Sequence, residues 1–140
     1  MRDDNLKVVF DTNIFISAFA IPGGKAEQAF LQALKGAFTL YTSISILTET
    51  SQILREKFDW DDERIIQLLK FIKTVAIILK TEPTLHTLKD EPNNRILECA
   101  EEGKVDLIVT GDKHILGLRD YKGIRIVNLS DFLTLLNKLA

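Results

Sequence analysis

Two kinds of apolar segment alternate along the chain. Short blocks rich in β-branched and aromatic residues, typical of strands, lie between longer segments whose apolar residues have helical spacing. The predicted strands are residues 7–10, FTLYTS, VAIIL, DLIVT and IRIV. The predicted helices are KAEQAFLQALKG, residues 44 to about 57, DWDDERIIQLLKFIK, NNRILECAEEG, a short one near Asp112, and DFLTLLNKL. This alternation predicts a mostly parallel five-stranded sheet with helices on both faces.

Glycine, proline and small polar residues mark the ends of the predicted helices. Gly23 and Gly24 precede the first of them, and Gly36 ends it. Pro92 falls in a first helical turn, where proline is tolerated, and Ser130 is predicted to cap the last helix. Acids predicted to stabilise helix starts by their charge are Asp61, Asp62 and Asp131.

Two acids fall just beyond the carboxyl ends of predicted strands. Asp11 directly follows the first strand, and Asp112 follows the fourth through Thr110 and Gly111. Ligands of open parallel sheets bind beyond these strand ends, so adjacent strands would bring the two acids together. Asp106 precedes the fourth strand and should lie at the opposite edge. An aspartate after a strand suits a turn as well as a metal site, and position alone leaves both readings of Asp11 open.

Two helical residues are placed to face the same edge. Glu49 falls at the border of the apolar stripe of its helix. Asn93 shares the buried side of its helix with Ile96, Leu97 and Ala100, at spacings of three, four and seven residues. We therefore expect Asn93 to point inward.

Carboxylates gathered at one site require neutralisation. Each like-charged pair ~4 Å apart would cost about 4 kcal/mol at an effective dielectric near 20. A proton can remove this repulsion, but oxygen-rich clusters also suit Mg²⁺ or Mn²⁺, hard cations that bind substrate phosphates. Such ions assist phosphodiester hydrolysis. The predicted chemistry is metal-assisted hydrolysis.

Composition restricts the class of protein only mildly. The 140 residues include 18 basic and 20 acidic ones, so the net charge of −2 gives no general basic field toward nucleic acid or membranes. Cys99 is the sole cysteine, which excludes an internal disulfide. The start MRDDNLK is unlike an export signal, and the apolar run VAIIL is too short to span a bilayer. We expect one cytoplasmic domain over residues 1–140, without a membrane partner.

Four motifs in order, VVFDTNIFISAF, SISILTETSQIL, DEPNNRILECA and VDLIVTGDKHIL, followed by IRIVNLSDFL, resemble the PIN-domain ribonucleases. The resemblance is to the small prokaryotic toxins of VapC type and extends from Val8 to the last helix. It implies a three-layer α/β/α sandwich and Mg²⁺- or Mn²⁺-dependent cleavage of RNA. It further implies a possible small antitoxin, inserting an arginine near Asp11 and Asp112, and a possible homodimer.

The resemblance assigns roles by position. It implies that Asp11, Glu49 and Asp112 are catalytic and bind metal. Residues implied to support the pocket are Thr12, Asn13 and Thr110. In this sequence Asn93 occupies the position aligned with a further catalytic acid, although a small gap would bring Asp90 into play instead. An asparagine removes one negative charge, so the alternative is a weakened or inactive PIN-like module that binds RNA or protein.

Cations after Asp112 are candidates for contacts with RNA phosphates. The first of these are Lys113, His114 and Arg119, with Lys122, Arg125, Arg55 and Lys57 as further candidates. They suit ordinary solvated loops as well.

Two other classes of protein with acids at this edge of a parallel sheet fit the sequence less closely. A phosphoacceptor domain would have paired acids on its first loop, and a haloacid-dehalogenase-like phosphatase would have an acid where Asn13 stands.

Overall fold

A computed structural model of the chain describes residues 5–140. Within them one sheet of six strands lies among seven helices. The strands are β1 (Lys7–Phe10), β2 (Thr39–Ser43), β3 (Ile77–Leu79), β4 (Leu107–Val109), β5 (Asp120–Tyr121) and β6 (Ile124–Val127). The helices are α1 (Thr12–Ala20), α2 (Lys25–Leu34), α3 (Ile44–Phe58), α4 (Asp62–Val75), α5 (Glu91–Gly103), α6 (Lys113–Leu116) and α7 (Leu129–Leu139).

The sheet has the order β3-β2-β1-β4-β6-β5. Every pairing is parallel except that of β5 with β6. All of β4, and the last three residues of β1, are buried on both sides, as expected for parallel strands covered by helices on both faces. The predicted α/β/α architecture is confirmed, with the short antiparallel β5 as a sixth strand.

The aromatic core holds β1 firmly in place. Phe10 is fully buried, and its ring centroid lies 5.8 Å from that of Phe15, 5.8 Å from that of Phe38 and 6.1 Å from that of Phe132. These rings come from α1, from the segment before β2 and from α7. The packing of these rings therefore fixes the position of Phe10, the last residue of β1, and with it the backbone position of Asp11, which follows.

Parallel pairing brings the carboxyl ends of β1 and β4 to one edge. Val9 pairs with Ile108 and Phe10 with Val109, and the N–H of Asp11 donates to the carbonyl of Val109 at 3.0 Å. Asp106 lies at the opposite edge, as predicted. Its carboxylate accepts the N–H of Lys7 at 2.9 Å.

Two local predictions need correction. The prediction that Ser130 caps the last helix is wrong, because α7 begins at Leu129 and the side chain of Asn128 accepts the N–H of Asp131 at 2.8 Å. Helix α1 was not predicted at all. Gly36 does end α2, with a φ of 82°, and Asp61 caps α4 by accepting the N–H of Arg64 at 2.8 Å.

Candidate active site

Asp11 is a buried carboxylate at the junction of β1 and α1. It caps α1, where its Oδ1 accepts the N–H of Asn13 at 3.4 Å, and only 3% of the residue is exposed. Its Oδ2 accepts a hydrogen bond of 2.6 Å from the hydroxyl of Thr110. This hydroxyl comes from the end of β4, so the strand pairing itself sets the contact.

Asp112 stands beside it at the start of α6. Its Oδ1 accepts the N–H groups of His114 at 2.8 Å and Ile115 at 3.1 Å, which makes it the cap of that helix. The N–H of Asp112 donates to the Thr110 hydroxyl at 3.0 Å. Thr110 therefore links the two aspartates through one oxygen atom, as donor to Asp11 and acceptor from Asp112.

Glu49 reaches the same edge from α3. The residue is half-buried, and its Oε1 accepts the hydroxyl of Thr12 at 2.8 Å. Thr12 is the first residue of α1 and is itself buried. Thr12, which follows Asp11 in the chain, therefore orients Glu49. Two adjacent residues thus supply one acid of the site and orient another.

Burial and neighbouring acids raise the pKa values of Asp11 and Glu49. Burial raises the pKa of Asp11, the hydrogen bond from Thr110 opposes this rise, and the charge of Asp112 adds to it. Burial also raises the pKa of Glu49, against the hydrogen bond from Thr12, and the charges of Asp11 and Asp90 raise it further. The coulombic influences on these two carboxyls all come from acids, and the excess negative charge favours a bound cation.

The donor set fits a divalent cation held partly through water. Among residues 5–140, no three His, Cys, Asp or Glu side chains are placed to hold one metal ion directly. Mg²⁺, however, needs only one or two carboxylates when it retains its own waters and binds substrate phosphates. Asp11 and Asp112, joined through Thr110, would supply such a pair of oxygen ligands, with Glu49 as a neighbouring acid.

Asn93 and Asp90 both lie at the start of α5 and act on different acids. Asn93 is 6% exposed, as its helical spacing predicts, and its amide Nδ2 donates to Oδ1 of Asp112 at 3.3 Å. Asp90 is exposed at the N-cap position of α5, and its side chain makes no capping hydrogen bond there. Its charge acts on Glu49 instead.

The candidate RNA-contacting side chains follow Asp112 in the chain and are exposed. Lys113 and His114 begin α6, directly after Asp112, and both are exposed. Arg119 is exposed in the segment before β5, with a left-handed φ of 63°. Asn13 is also exposed, and its contact with Asp11 is made by its backbone N–H.

Three polar residues of α5 that the sequence analysis did not single out are bonded to the preceding segment. Asn94, Arg95 and Glu98 bind the backbone of Leu85 and Leu88. A signal was available, because Glu98 lies between Leu97 and Cys99 in a helix whose apolar positions are buried. A charged residue inside such a run needs a partner.

Cys99 is fully buried, and burial raises the pKa of its thiol to about 12. It is a packed side chain rather than a reactive one.

Within residues 5–140, no helix combines the length and apolar character needed to span a membrane.

Comparison with solved structures shows the same fold in three prokaryotic proteins. VapBC2 from Rickettsia felis, bound to a DNA fragment from its promoter, is 15% identical with a TM-score of 0.62, over 88% of this chain and 98% of that one. PAE2754 from Pyrobaculum aerophilum is 15% identical with a TM-score of 0.63, over 95% and 90%. DNA-bound VapBC from Salmonella typhimurium is 18% identical with a TM-score of 0.59, over 89% and 98%. At such identities the likeness concerns the fold.

Sequence comparison defines the family. The uncharacterized protein MJ1680 from Methanocaldococcus jannaschii is 34% identical over 135 residues, which cover 92% of this chain and 86% of that protein. A family model described as PIN domain matches residues 7–114, a range that includes Asp11, Glu49, Asn93 and Asp112. The chain belongs to the PIN domain family.

Proposed function

We propose that this chain is a metal-dependent endoribonuclease whose catalytic acids are Asp11, Glu49 and Asp112. The observation that carries the proposal is a pair of threonine contacts at the end of the sheet: the Thr110 hydroxyl bonds to Asp11 and to the N–H of Asp112, and Thr12, next to Asp11, bonds to Glu49. The charge of Asp112 also raises the pKa of Asp11, and that of Asp11 raises the pKa of Glu49. Acids from three distant segments therefore share one site. Perturbed carboxyls in a common site are typical of catalytic centres.

The cofactor in this proposal is Mg²⁺ or Mn²⁺, held by Asp11 and Asp112 with Glu49 beside them. When bound, such an ion lowers the pKa of water and stabilises the charge that develops on a phosphodiester. Thr110 orients the two aspartates, and Thr12 orients Glu49. A carboxylate such as Glu49, with its pKa raised, suits the acceptance of a proton from an attacking water.

The substrate in this proposal is RNA, guided by exposed cations next to the acids. Lys113 and His114 follow Asp112 directly, and Arg119 lies beyond α6. Their side chains can contact backbone phosphates, which neutralises charge without reading the sequence. The acidic pocket itself would repel RNA, so these cations and the metal would together permit its approach.

Asn93 supports a second candidate, a catalytically weakened PIN-like module that binds RNA or protein. Its amide donates to Asp112, where a carboxylate would add negative charge. The site would therefore hold a cation less strongly than a site with an aspartate at this position. Residues 1–140 act in either case as one PIN-like domain.

We further propose that the protein is the toxin of a toxin–antitoxin pair in the cytoplasm. The proteins of similar fold from Rickettsia felis and Salmonella typhimurium are VapBC complexes bound to DNA. An antitoxin arginine near Asp11 and Asp112 would neutralise the acids by a bidentate pair. Co-purification from the native host tests this: a small partner should accompany the wild-type protein and be absent from a variant with reversed charge at Asp112. The mass of the protein in solution tests separately for a homodimer.

Incubation with labelled RNA and Mn²⁺ tests the enzymatic proposal. Wild-type protein should cleave single-stranded or structured probes, and chelation of the ion should stop cleavage. Asp11→Asn should abolish it, whereas Asp61→Asn, which retains a capping side chain at the start of α4, should not. Binding without cleavage by the wild type would favour the module, and cleavage that survives Asp11→Asn would refute the assignment of this site.

A further inference from the structure

A groove of about 430 Å³ lies beside Glu49, between α3 and the start of α5. Glu49 and Gln52 contribute to its wall on α3, and Glu91 and Arg95 to its wall on α5. Among the described residues that line it, Arg95 is the single cation, whereas Glu49 and Glu91 are acids. A phosphate group in this groove would therefore be repelled by the walls unless Arg95 paired with it.

The guanidinium of Arg95 is held in place by its own neighbours. Its Nη2 donates to the carbonyl of Leu85 at 2.9 Å and lies 3.7 Å from Oε1 of Glu91, and its Nε lies 2.9 Å from Oε1 of Glu98. These contacts use two of its three nitrogens, so within residues 5–140 the N–H groups of Nη1 remain for a ligand. A planar guanidinium that is already fixed loses little conformational freedom when it binds a phosphate.

Stability alone gives a weak reason for a charge at position 95. Glu98 is only 5% exposed, and the side chain of Arg95 is 19% exposed. A buried ion pair stabilises a fold little better than apolar residues of similar size, because removing both charges from water is costly. The pair does hold a cation at the wall of a groove beside a catalytic acid, which points to a role in binding an anion.

The groove lies at one end of a row of acids. The strand order β2-β1-β4 sets the order of the acids that follow these strands, which is Glu49, Asp11 and Asp112. Lys113 directly follows Asp112 at one end of this row, and Arg95 lines the groove with Glu49 at the other. Cations therefore stand at both ends of the row, an arrangement that suits a strand with a phosphate on either side of the acids.

We infer that Arg95 binds a backbone phosphate of RNA in the groove next to Glu49, and so holds the strand across the site together with the cations beyond Asp112. This inference rests on the proposed function and names a substrate-binding residue for it. The guanidinium presents N–H donors in a planar fork, which matches the oxygens of a phosphate. The contact is to the RNA backbone, so it adds affinity without reading the sequence.

Fluorescence anisotropy with labelled single-stranded RNA tests the inference, on the full chain in the Asp11→Asn background to prevent cleavage. Arg95→Gln alone leaves the buried carboxylate of Glu98 without its cation, which is strongly destabilising. The informative comparison is therefore between Glu98→Gln and the same variant with Arg95→Gln added. Adding Arg95→Gln should weaken binding about tenfold, the effect of losing one charge-assisted hydrogen bond. It should also reduce the slope of log affinity against log salt by about 0.7, the value for one phosphate on a single strand.

Arg64→Gln in the same background is the matched control. The guanidinium of Arg64 lies 3.8 Å from the centroid of the Trp60 ring, and Arg64 does not line the groove. The control removes the same charge and should leave affinity and slope unchanged. An unchanged slope on adding Arg95→Gln would overturn the inference, because a residue that only stabilises the fold does not alter the number of neutralised phosphates. An equal change of slope in Arg64→Gln, or no RNA binding by the Asp11→Asn parent, would overturn it as well.

Cleavage assays with Mn²⁺ distinguish failure of this inference from failure of the proposed function. If the wild type cleaves RNA and the slope does not depend on Arg95, the proposed function stands and the inference is wrong. If the slope depends on Arg95 but the wild type cleaves no RNA, the inference stands and the enzymatic proposal is wrong. In an active enzyme, adding Arg95→Gln to Glu98→Gln should raise KM about tenfold and change kcat little, as expected for a contact made equally in the ground state and the transition state.

Discussion

The hydroxyl of Thr110 donates a hydrogen bond of 2.6 Å to Asp11, although the two residues are 99 positions apart in the chain. Its oxygen also accepts the N–H of Asp112 at 3.0 Å. Thr110 follows β4 directly, and its N–H donates to the carbonyl of Val127 on β6 at 3.0 Å. The site is therefore an extension of the sheet, and its geometry depends on the register of three strands.

Replacement of Thr110 by valine should destabilise the protein while preserving its shape. The change leaves the carboxylate of Asp11 without its donor and the N–H of Asp112 without its acceptor, at a cost of about 1–3 kcal/mol in unfolding free energy. Urea denaturation at neutral pH in a chelating buffer measures it. The matched control is Thr50→Val, whose hydroxyl donates only to the carbonyl of Ile46 within α3. Equal losses of unfolding free energy in the two variants would contradict the role of Thr110 in linking the two aspartates.

Replacement of Asp11 by asparagine should stabilise the metal-free protein at neutral pH. Because the folded-state pKa of Asp11 is raised above its ordinary value of 3.8, its contribution to stability is present below that value and is lost as the pH rises through the folded-state pKa. Asparagine carries no charge, keeps one oxygen that can cap α1, and turns an amide N–H toward the oxygen of Thr110 in place of the accepting carboxylate oxygen. We therefore expect Asp11→Asn to be more stable than wild type at pH 7, and this gain to disappear below about pH 4.

Unfolding curves of wild type and Asp11→Asn at several pH values, all in chelator, measure this difference. Asp61→Asn serves as the control, since Asp61 is exposed and its side chain caps α4 by accepting the N–H of Arg64. It should change stability by less than about 0.5 kcal/mol at every pH. If Asp11→Asn is less stable than wild type at pH 7, the hydrogen bonds of Asp11 outweigh the cost of burying its charge, and the prediction is wrong.

The sequence predicted the strands well because their apolar blocks are short and distinct, but it did not reveal α1. Six of the nine residues of α1, TNIFISAFA, are apolar, and five of the nine are buried. Only Asn13 and Ser17 mark its polar side, which is too short a pattern to give a clear 3.6-residue alternation. The short strand β5 was likewise missed. It is set by a two-residue turn in which Lys122 and Gly123 both have positive φ, a hairpin with a weak sequence signal.

For the candidate site, sequence reasoning reached the acids but not their connections. Asp11 and Asp112 follow strands, so the rule for parallel sheets places them correctly. Which oxygen of Thr110 or Thr12 meets which carboxylate depends on side-chain rotamers, which spacing does not specify. Residues 80–90 form a turn-rich segment without periodicity, so the sequence marks Glu98 as a charge that needs a partner but does not identify the backbone of Leu85 as that partner.

Replacement of Asn93 by aspartate should tighten Mn²⁺ binding about tenfold. In the wild-type protein the amide Nδ2 of Asn93 donates to Asp112 at 3.3 Å. A carboxylate at position 93 would instead repel that of Asp112 until a cation lies between them. Stability without metal should therefore fall by about 1–3 kcal/mol, whereas affinity by calorimetry should rise. Asn93→Ala removes the amide without adding charge, and it should not tighten binding. Unchanged or weaker affinity in Asn93→Asp would exclude this position as a metal-facing one.

Removal of the cations near Asp112 should weaken RNA binding uniformly across sequences. Lys113 and Arg119 are exposed, so glutamine at both positions should leave the fold intact. For single-stranded RNA, each phosphate that is no longer neutralised should reduce the slope of log affinity against log salt by about 0.7. Fluorescence anisotropy with labelled RNA, in the Asp11→Asn background to prevent cleavage, measures both quantities. Lys138→Gln, near the end of α7, is the control and should bind as the parent does. A slope that is unchanged in the double variant would place the RNA path elsewhere on the surface.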